Sequence, residues 1–164
     1  QLVSFALDGV GVEALRSGMV ASEPSQPAVE VETFLAHLVV LRGPGEVRAG
    51  FAPVLAFHSV RVGCRIEELV GRLDRRTGDL CEACPSALRA GDVGLVRLRP
   101  EQPLCVEAYA DCPRLGQFTT LPEQTAIAIV GVVCEVDPRE PAGTNSLDTA
   151  AVEADAAPGS SDEA

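Results

Sequence analysis

Lysine is absent from this sequence, as is tryptophan, and there is one tyrosine and one methionine. All 13 basic residues are therefore arginine, a bias we assign to the composition of the genome. Without lysine there is no phosphate loop of the GxxxxGK[ST] kind, whose lysine must reach the phosphates. With aromatics at 4%, the core has to be assembled from Val, Leu, Ile and Ala. No run of 18 apolar residues occurs, which excludes a transmembrane helix. No basic region precedes an apolar one at the N-terminus, which excludes a secretory signal and sets the expectation of a cytoplasmic protein without membrane contact. The chain also opens inside a strand-like run, LVSFAL, with no initiating Met, so we expect a piece of something larger. Its six cysteines are then expected as reduced thiols.

What is present is acid and apolar residues. A length of 164 residues and a hydrophobic content of 46% suffice for one domain with a real core. The net charge of −11 argues against a generic polyanion binder. That charge is uneven: residues 137–164 carry seven acids and one arginine, a net of −6, which leaves −5 for residues 1–136.

Punctuation divides the chain into a part of one small domain (1–22), a Pro-bearing linker (23–33), a second domain that reads as a barrel (34–136) and a disordered acidic tail (137–164). Leu2 to Leu7 reads as a strand, and Gly11 and Gly18 break any helix over 10–22. FLAHLVVL (34–41) is nearly continuous in apolar residues, and PVLAFHS (53–59) follows a turn at Gly50. VRVGCRI (60–66) alternates, with Val60, Val62, Cys64 and Ile66 on one face and Arg61 and Arg65 on the other. VGLVRLR (93–99) does the same with Val96 and Leu98 inward; LCVEAYA (104–110) opposes Leu104, Val106 and Ala108 to Glu107 and Tyr109. TAIAIVGVVCEV (125–136) completes roughly six strands, the signature of an all-β, six-stranded antiparallel barrel.

Motifs that could carry chemistry are few. Cys81-Glu82-Ala83-Cys84 has the spacing of half a zinc site, but Cys112 and His58 would have to be recruited as the other ligands, so two free thiols are the default. His37 and His58 lie in apolar strands, where a hydrogen-bonded core or interface role outweighs catalysis. The run Asp74-Arg75-Arg76-Thr77-Gly78-Asp79 reads as a charged turn. No nucleophile elbow, metal triad or paired carboxylates are evident, so the residues point to a binding or assembly module and not to an enzyme.

Taken in order, GPGEVRAGFAPVLAFHSVRVGCRIEEL, LDRRTGD and LRAGDVGLVRLRPEQPLCVEAYADCPRLGQF resemble the C-terminal barrel of eukaryotic elongation factor 1-alpha. The resemblance spans 34–136, with a fainter match of SFALDGVGVEALRSGMVA to the end of the preceding barrel. The Hbs-type ribosome-rescue GTPase and the GTPase partner of the release factor share this barrel. The blocks Ala52-Pro53-Val54-Leu55 and Pro103-Leu104-Cys105-Val106-Glu107 favour the elongation factor.

The resemblance implies a three-domain GTPase whose GTP and magnesium site lies in an N-terminal domain outside this chain, leaving no cofactor here. It also implies a six-stranded third domain that docks on the second barrel and touches the tRNA T-stem backbone. Implied partners are the GTPase and second-barrel domains, aminoacyl-tRNA, the ribosome and a nucleotide exchange factor. His58, Cys64, Asp74, Gly78, Gly91, Asp92, Pro103, Cys105, Glu107, Gly116 and Phe118 match motif positions and are expected to be structural. Arg75, Arg76, Arg114 and Gln117 are the expected RNA or partner contacts.

Departures fall in one place. Gln117 stands where the family's Leu-Gly is followed by Arg, and Thr119 to Gln124 lacks the loop's usual basic residues. Spacing to Gly131 is one residue longer, and the tail is acidic where the family's is basic. Fewer cations mean weaker phosphate binding, so the alternative to tRNA delivery is a diverged protein-interaction barrel that no longer binds tRNA.

Overall fold

The computed structural model describes residues 9–121 and 125–139. Expectations for the strand at Leu2–Leu7, the loop residues 122–124 and the tail from 140 lie outside the described residues. A single turn of 3-10 helix, Val12–Ala14, precedes seven strands. These are β1 (Val31–Arg42), β2 (Val54–Phe57), β3 (Val60–Leu73), β4 (Leu80–Ala83), β5 (Val93–Pro100), β6 (Gln117–Thr120) and β7 (Ala128–Pro138). No helix of the described residues is long and apolar enough to cross a membrane.

Every pairing is antiparallel, and the order β2-β6-β7-β1-β5-β3 returns to β2, closing a six-stranded barrel; β4 extends the far end of β3 outside the ring. Closure removes the free edges that strands this apolar would otherwise expose. Register shifts in β1 and β3 bend these long strands around the barrel.

The alternations select the interior. Val62, Cys64 and Ile66 of β3 and Val96 and Leu98 of β5 are buried, while Arg61, Arg65 and Arg99 face out. Scarce aromatics are concentrated at the centre. Phe34, Phe57 and Phe118 meet with ring centroids 5.9, 6.2 and 5.5 Å apart, the Phe34–Phe57 pair edge to face at 84°. Each such pair adds about 0.5–1.5 kcal/mol beyond its burial. Val47 and Leu88, both fully buried, exchange two backbone hydrogen bonds of 2.8 Å and close one end.

Three expectations need correction. LCVEAYA is not a strand: Leu104 and Val106 are buried, but beyond a single bridge of Cys105 to Glu30 the segment has no ladder. Its place in the ring is taken by β6, which the polar pair Thr119-Thr120 concealed. The barrel also begins in the expected linker and ends past Val136. β1 starts at Val31, and β7 runs to Pro138 because Asp137 accepts hydrogen bonds from Thr33 Oγ1 at 2.6 Å and Arg97 at 2.7 Å.

Candidate nucleic-acid and partner interface

Interior residues alternate with exterior ones along each strand, so the outer face can be read from the register. One row runs Arg61, Ala56, Thr119, Val130, Val39 across β3, β2, β6, β7 and β1. The next runs Gln117, Val132, His37 across β6, β7 and β1, with His58 just past β2. From Ala56 to Val39, and from Gln117 to His37, these rows floor a shallow groove of about 610 Å³ that Tyr109 and Arg114 also line; Arg61 lies outside it. Val39, Val130 and Val132 are only half-buried, which leaves an apolar floor on the outside of the barrel.

The closing loop is held to β7 by backbone. Tyr109 N–H donates to the Val133 carbonyl at 2.8 Å, and Val133 N–H donates to the Gly116 carbonyl at 2.7 Å. Gly116 is required for this approach, because a Cβ there would lie 2.5 Å from Tyr109 Cα and 2.8 Å from the Glu107 carbonyl oxygen. Gly116 thus fixes the loop that presents Arg114, immediately before Gln117 enters β6.

The four expected contact residues separate into two places. Arg114 and Gln117 line the groove together, both exposed. Arg75 and Arg76 are exposed in the β3–β4 turn, at the other end of the long β3. That turn is organised by Asp74, whose Oδ1 accepts from Arg76 N–H at 2.8 Å and Thr77 N–H at 2.9 Å. These backbone donors, Thr77 first, hold the Asp74 carboxyl below its ordinary range. Gly78, at φ +78°, donates to the Asp74 carbonyl at 2.8 Å and ends the turn.

The remaining motif positions have local explanations. Cys64 lies in the barrel interior, and burial pushes its thiol up to about 12. Asp92 accepts from Arg89 N–H at 2.7 Å, and Gly91, at φ +95°, donates to the Val40 carbonyl. Cys105 bridges Glu30 after exposed Pro103, and its carbonyl lies 3.3 Å from His58 Nε2. Glu107 presents its carbonyl to Gly116, and Phe118 fills the aromatic centre.

His37, read as a core or interface residue, is exposed on the outer face. Cys81 and Cys84 are both exposed at β4, and among the described residues no group of three or more His, Cys, Asp or Glu is placed to hold a metal. Sequence reasoning set Tyr109 opposite the inward residues of LCVEAYA, but missed Val39, Val130 and Val132 as surface-forming residues. The signal for the valines is present: FLAHLVVL and AIVGVV are apolar on both faces, which implies that both faces are covered.

The GTP-eEF1A C-terminal domain-like model matches residues 33–134, the whole ring apart from its outermost residues. The chain belongs to that family. Elongation factor 1-alpha 1 of Euplotes crassus is 40% identical over 135 residues, covering 82% of this chain and 30% of the relative. Elongation factor 1-alpha of Serendipita indica is 40% identical over 153 residues, covering 91% and 33%. The chain therefore spans about a third of the length of these relatives. Among solved structures, Sup35 complexed with GMPPNP superposes at a TM-score of 0.70 with 23% identity, covering 77% of this chain and 31% of that one. Sup35 complexed with GDP gives 0.63 and 23%, covering 69% and 27%. At that identity the likeness concerns the fold alone.

Proposed function

We propose that this barrel is the third domain of an elongation factor 1-alpha-like GTPase, working in the cytoplasm as a binding module in protein synthesis. GTP hydrolysis belongs, in this reading, to an upstream domain, and this chain contributes docking to its neighbouring domains and contact with aminoacyl-tRNA on the ribosome. The observation that carries the reading is the composition of the groove. Among the described residues it is lined by Arg114 and two histidines and by no carboxylate, on a chain with 24 acids. A phosphate backbone is favoured there and disfavoured over most of the remaining surface. Arg75 and Arg76 form a second cationic point, able to meet a ligand long enough to span β3.

A different reading, a barrel that binds protein and no longer tRNA, is favoured by one observation: the apolar floor of Val39, Val130 and Val132. Exposed apolar surface of this kind fits a protein partner. The two readings part on salt. The chain is joined to the GTPase and second-barrel domains of an elongation factor 1-alpha relative and titrated with aminoacyl-tRNA at rising salt. The tRNA reading requires affinity that falls with salt and a loss of roughly three- to tenfold on Arg114→Glu. Binding that ignores both salt and Arg114 would leave the protein-partner reading.

A further inference from the structure

Two other depressions on the barrel are electrically closed. In one, Glu46 takes both Arg48 and Arg89 at 2.6 Å and Arg72 pairs with Glu82 at 3.1 Å. In the other, Arg99 pairs with Glu32 at 2.9 Å. The groove over β2, β6, β7 and β1 differs: among the described residues it has no carboxylate, and Arg114 makes no ion pair. It also gathers rings, for the chain's one tyrosine and both of its histidines line it.

Register sets these rings around the floor. The Phe57–Phe118 pairing brings His58, the next residue, beside Gln117, and the row continues through Val132 to His37. With strands about 5 Å apart, the two imidazoles are based ~15 Å from each other, with half-buried Val132 between them. Tyr109 stands on the flank of that row, its N–H tied to the Val133 carbonyl at 2.8 Å and its side chain exposed. The His58 ring is fixed in place: Nδ1 lies 3.1 Å from Ser59 Oγ and Nε2 lies 3.3 Å from the Cys105 carbonyl oxygen. Both of its nitrogens are thereby engaged, so what this ring offers a ligand is a face.

An apolar floor, flanking rings and an unpaired guanidinium match a nucleobase with its phosphate. A double-helical backbone calls for cations and no rings, because its bases stay stacked on one another. An unpaired base calls for planar side chains to replace the stacking it has lost. We propose that the groove takes an unpaired nucleotide of single-stranded RNA, with the base on Tyr109 over Val130 and Val132 and the phosphate on Arg114. Gln117, in the same row, can both donate and accept, which a base edge uses and a phosphate does not. A volume of about 610 Å³ is ample for this occupant. The proposal rests on the reading of this groove as a nucleic-acid surface and narrows its ligand from a duplex backbone to an unpaired base.

With one tyrosine and no tryptophan in the chain, intrinsic emission reports Tyr109 alone. The full chain is titrated with a short single-stranded adenosine-rich RNA, with a hairpin RNA duplex, and with adenosine monophosphate at equal nucleotide concentration. Absorption by the nucleotides is corrected with free tyrosine amide. The single strand is expected to quench the emission of the unaltered chain. Its affinity, read by anisotropy of a labelled strand, should fall on the order of tenfold on Tyr109→Ala and recover with Tyr109→Phe, which keeps the stacking face. Hairpin RNA bound as tightly as the single strand, with tyrosine emission unmoved by either, would overturn the proposal and leave the tRNA reading standing. Equal quenching by the mononucleotide would overturn it in favour of a free nucleotide. Absence of binding by either RNA would overturn it as well, while the tRNA reading is decided by the salt titration of the joined domains.

Discussion

The hydroxyl of buried Thr120 accepts a hydrogen bond from the Ile129 backbone N–H at 2.8 Å, tying the end of β6 to β7. The same Oγ1 lies within donating distance of the Ile127 and Ile129 carbonyls, at 3.2 and 3.3 Å. One side chain thereby serves the barrel seam nearest the groove. Thr120→Val keeps the volume and leaves a buried N–H without its partner, at about 1–3 kcal/mol. Urea unfolding should show that loss for Thr120→Val and a clearly smaller one for Thr120→Ser, which retains the hydroxyl.

Two glycines should respond unequally to alanine. At Gly116 the new methyl meets only backbone, 2.5 Å from Tyr109 Cα and 2.6 Å from its nitrogen, so the loop must detach. At Gly78 nothing lies within 4 Å, and the penalty is the left-handed φ of +78° alone. We expect about 1–2 kcal/mol for Gly78→Ala and more than that for Gly116→Ala. Thermal melts of the two variants give the order, and crystal or NMR data on Gly116→Ala should show Arg114 displaced from the groove.

Cys64 should be chemically silent in the folded barrel. Burial, and after it the Glu101 charge, disfavours its thiolate and raises its pKa from 9.0 to about 12. At about pH 8, near the ordinary thiol range, a disulfide reagent should reach exposed Cys81 and Cys84 first and Cys64 only on unfolding. Cys134 should lag behind that pair, since partial burial raises its pKa as well. The sign for stability follows. The folded state keeps the Cys64 proton longer than the unfolded state, so its stabilising contribution is complete below pH 9.0 and is lost as pH rises toward about 12. Cys64→Ala should flatten that alkaline decline in a series of unfolding curves.

Legibility in the sequence followed the physics of the two faces. VRVGCRI and VGLVRLR alternate because one face meets the core and the other water, and Cys64, Val96 and Leu98 are buried as that pattern requires. LCVEAYA alternates too, yet Leu104 and Val106 reach the core from an irregular segment: burial of alternate residues does not require a ladder. β4 is exposed at all four residues and so has no period to detect, and β6 is half threonine. The groove escaped for a related reason. Gln117 and Arg114 were visible as motif positions, but the register that sets Val132 beside Gln117 and His37 beside Val132 is a property of the closed ring. Arg75, Arg76 and Arg114 read alike as exposed arginines, and only the length of β3 separates them.

The most direct test concerns Gln117. If the groove is a phosphate-facing surface that has lost one of its cations, Gln117→Arg beside Arg114 restores the charge without touching the core. Binding of aminoacyl-tRNA is measured across a salt series for both proteins. The account predicts roughly three- to tenfold tighter binding at low salt and a log–log salt slope steeper by about one. Equal affinity and equal slope with and without the Gln117→Arg substitution would contradict it.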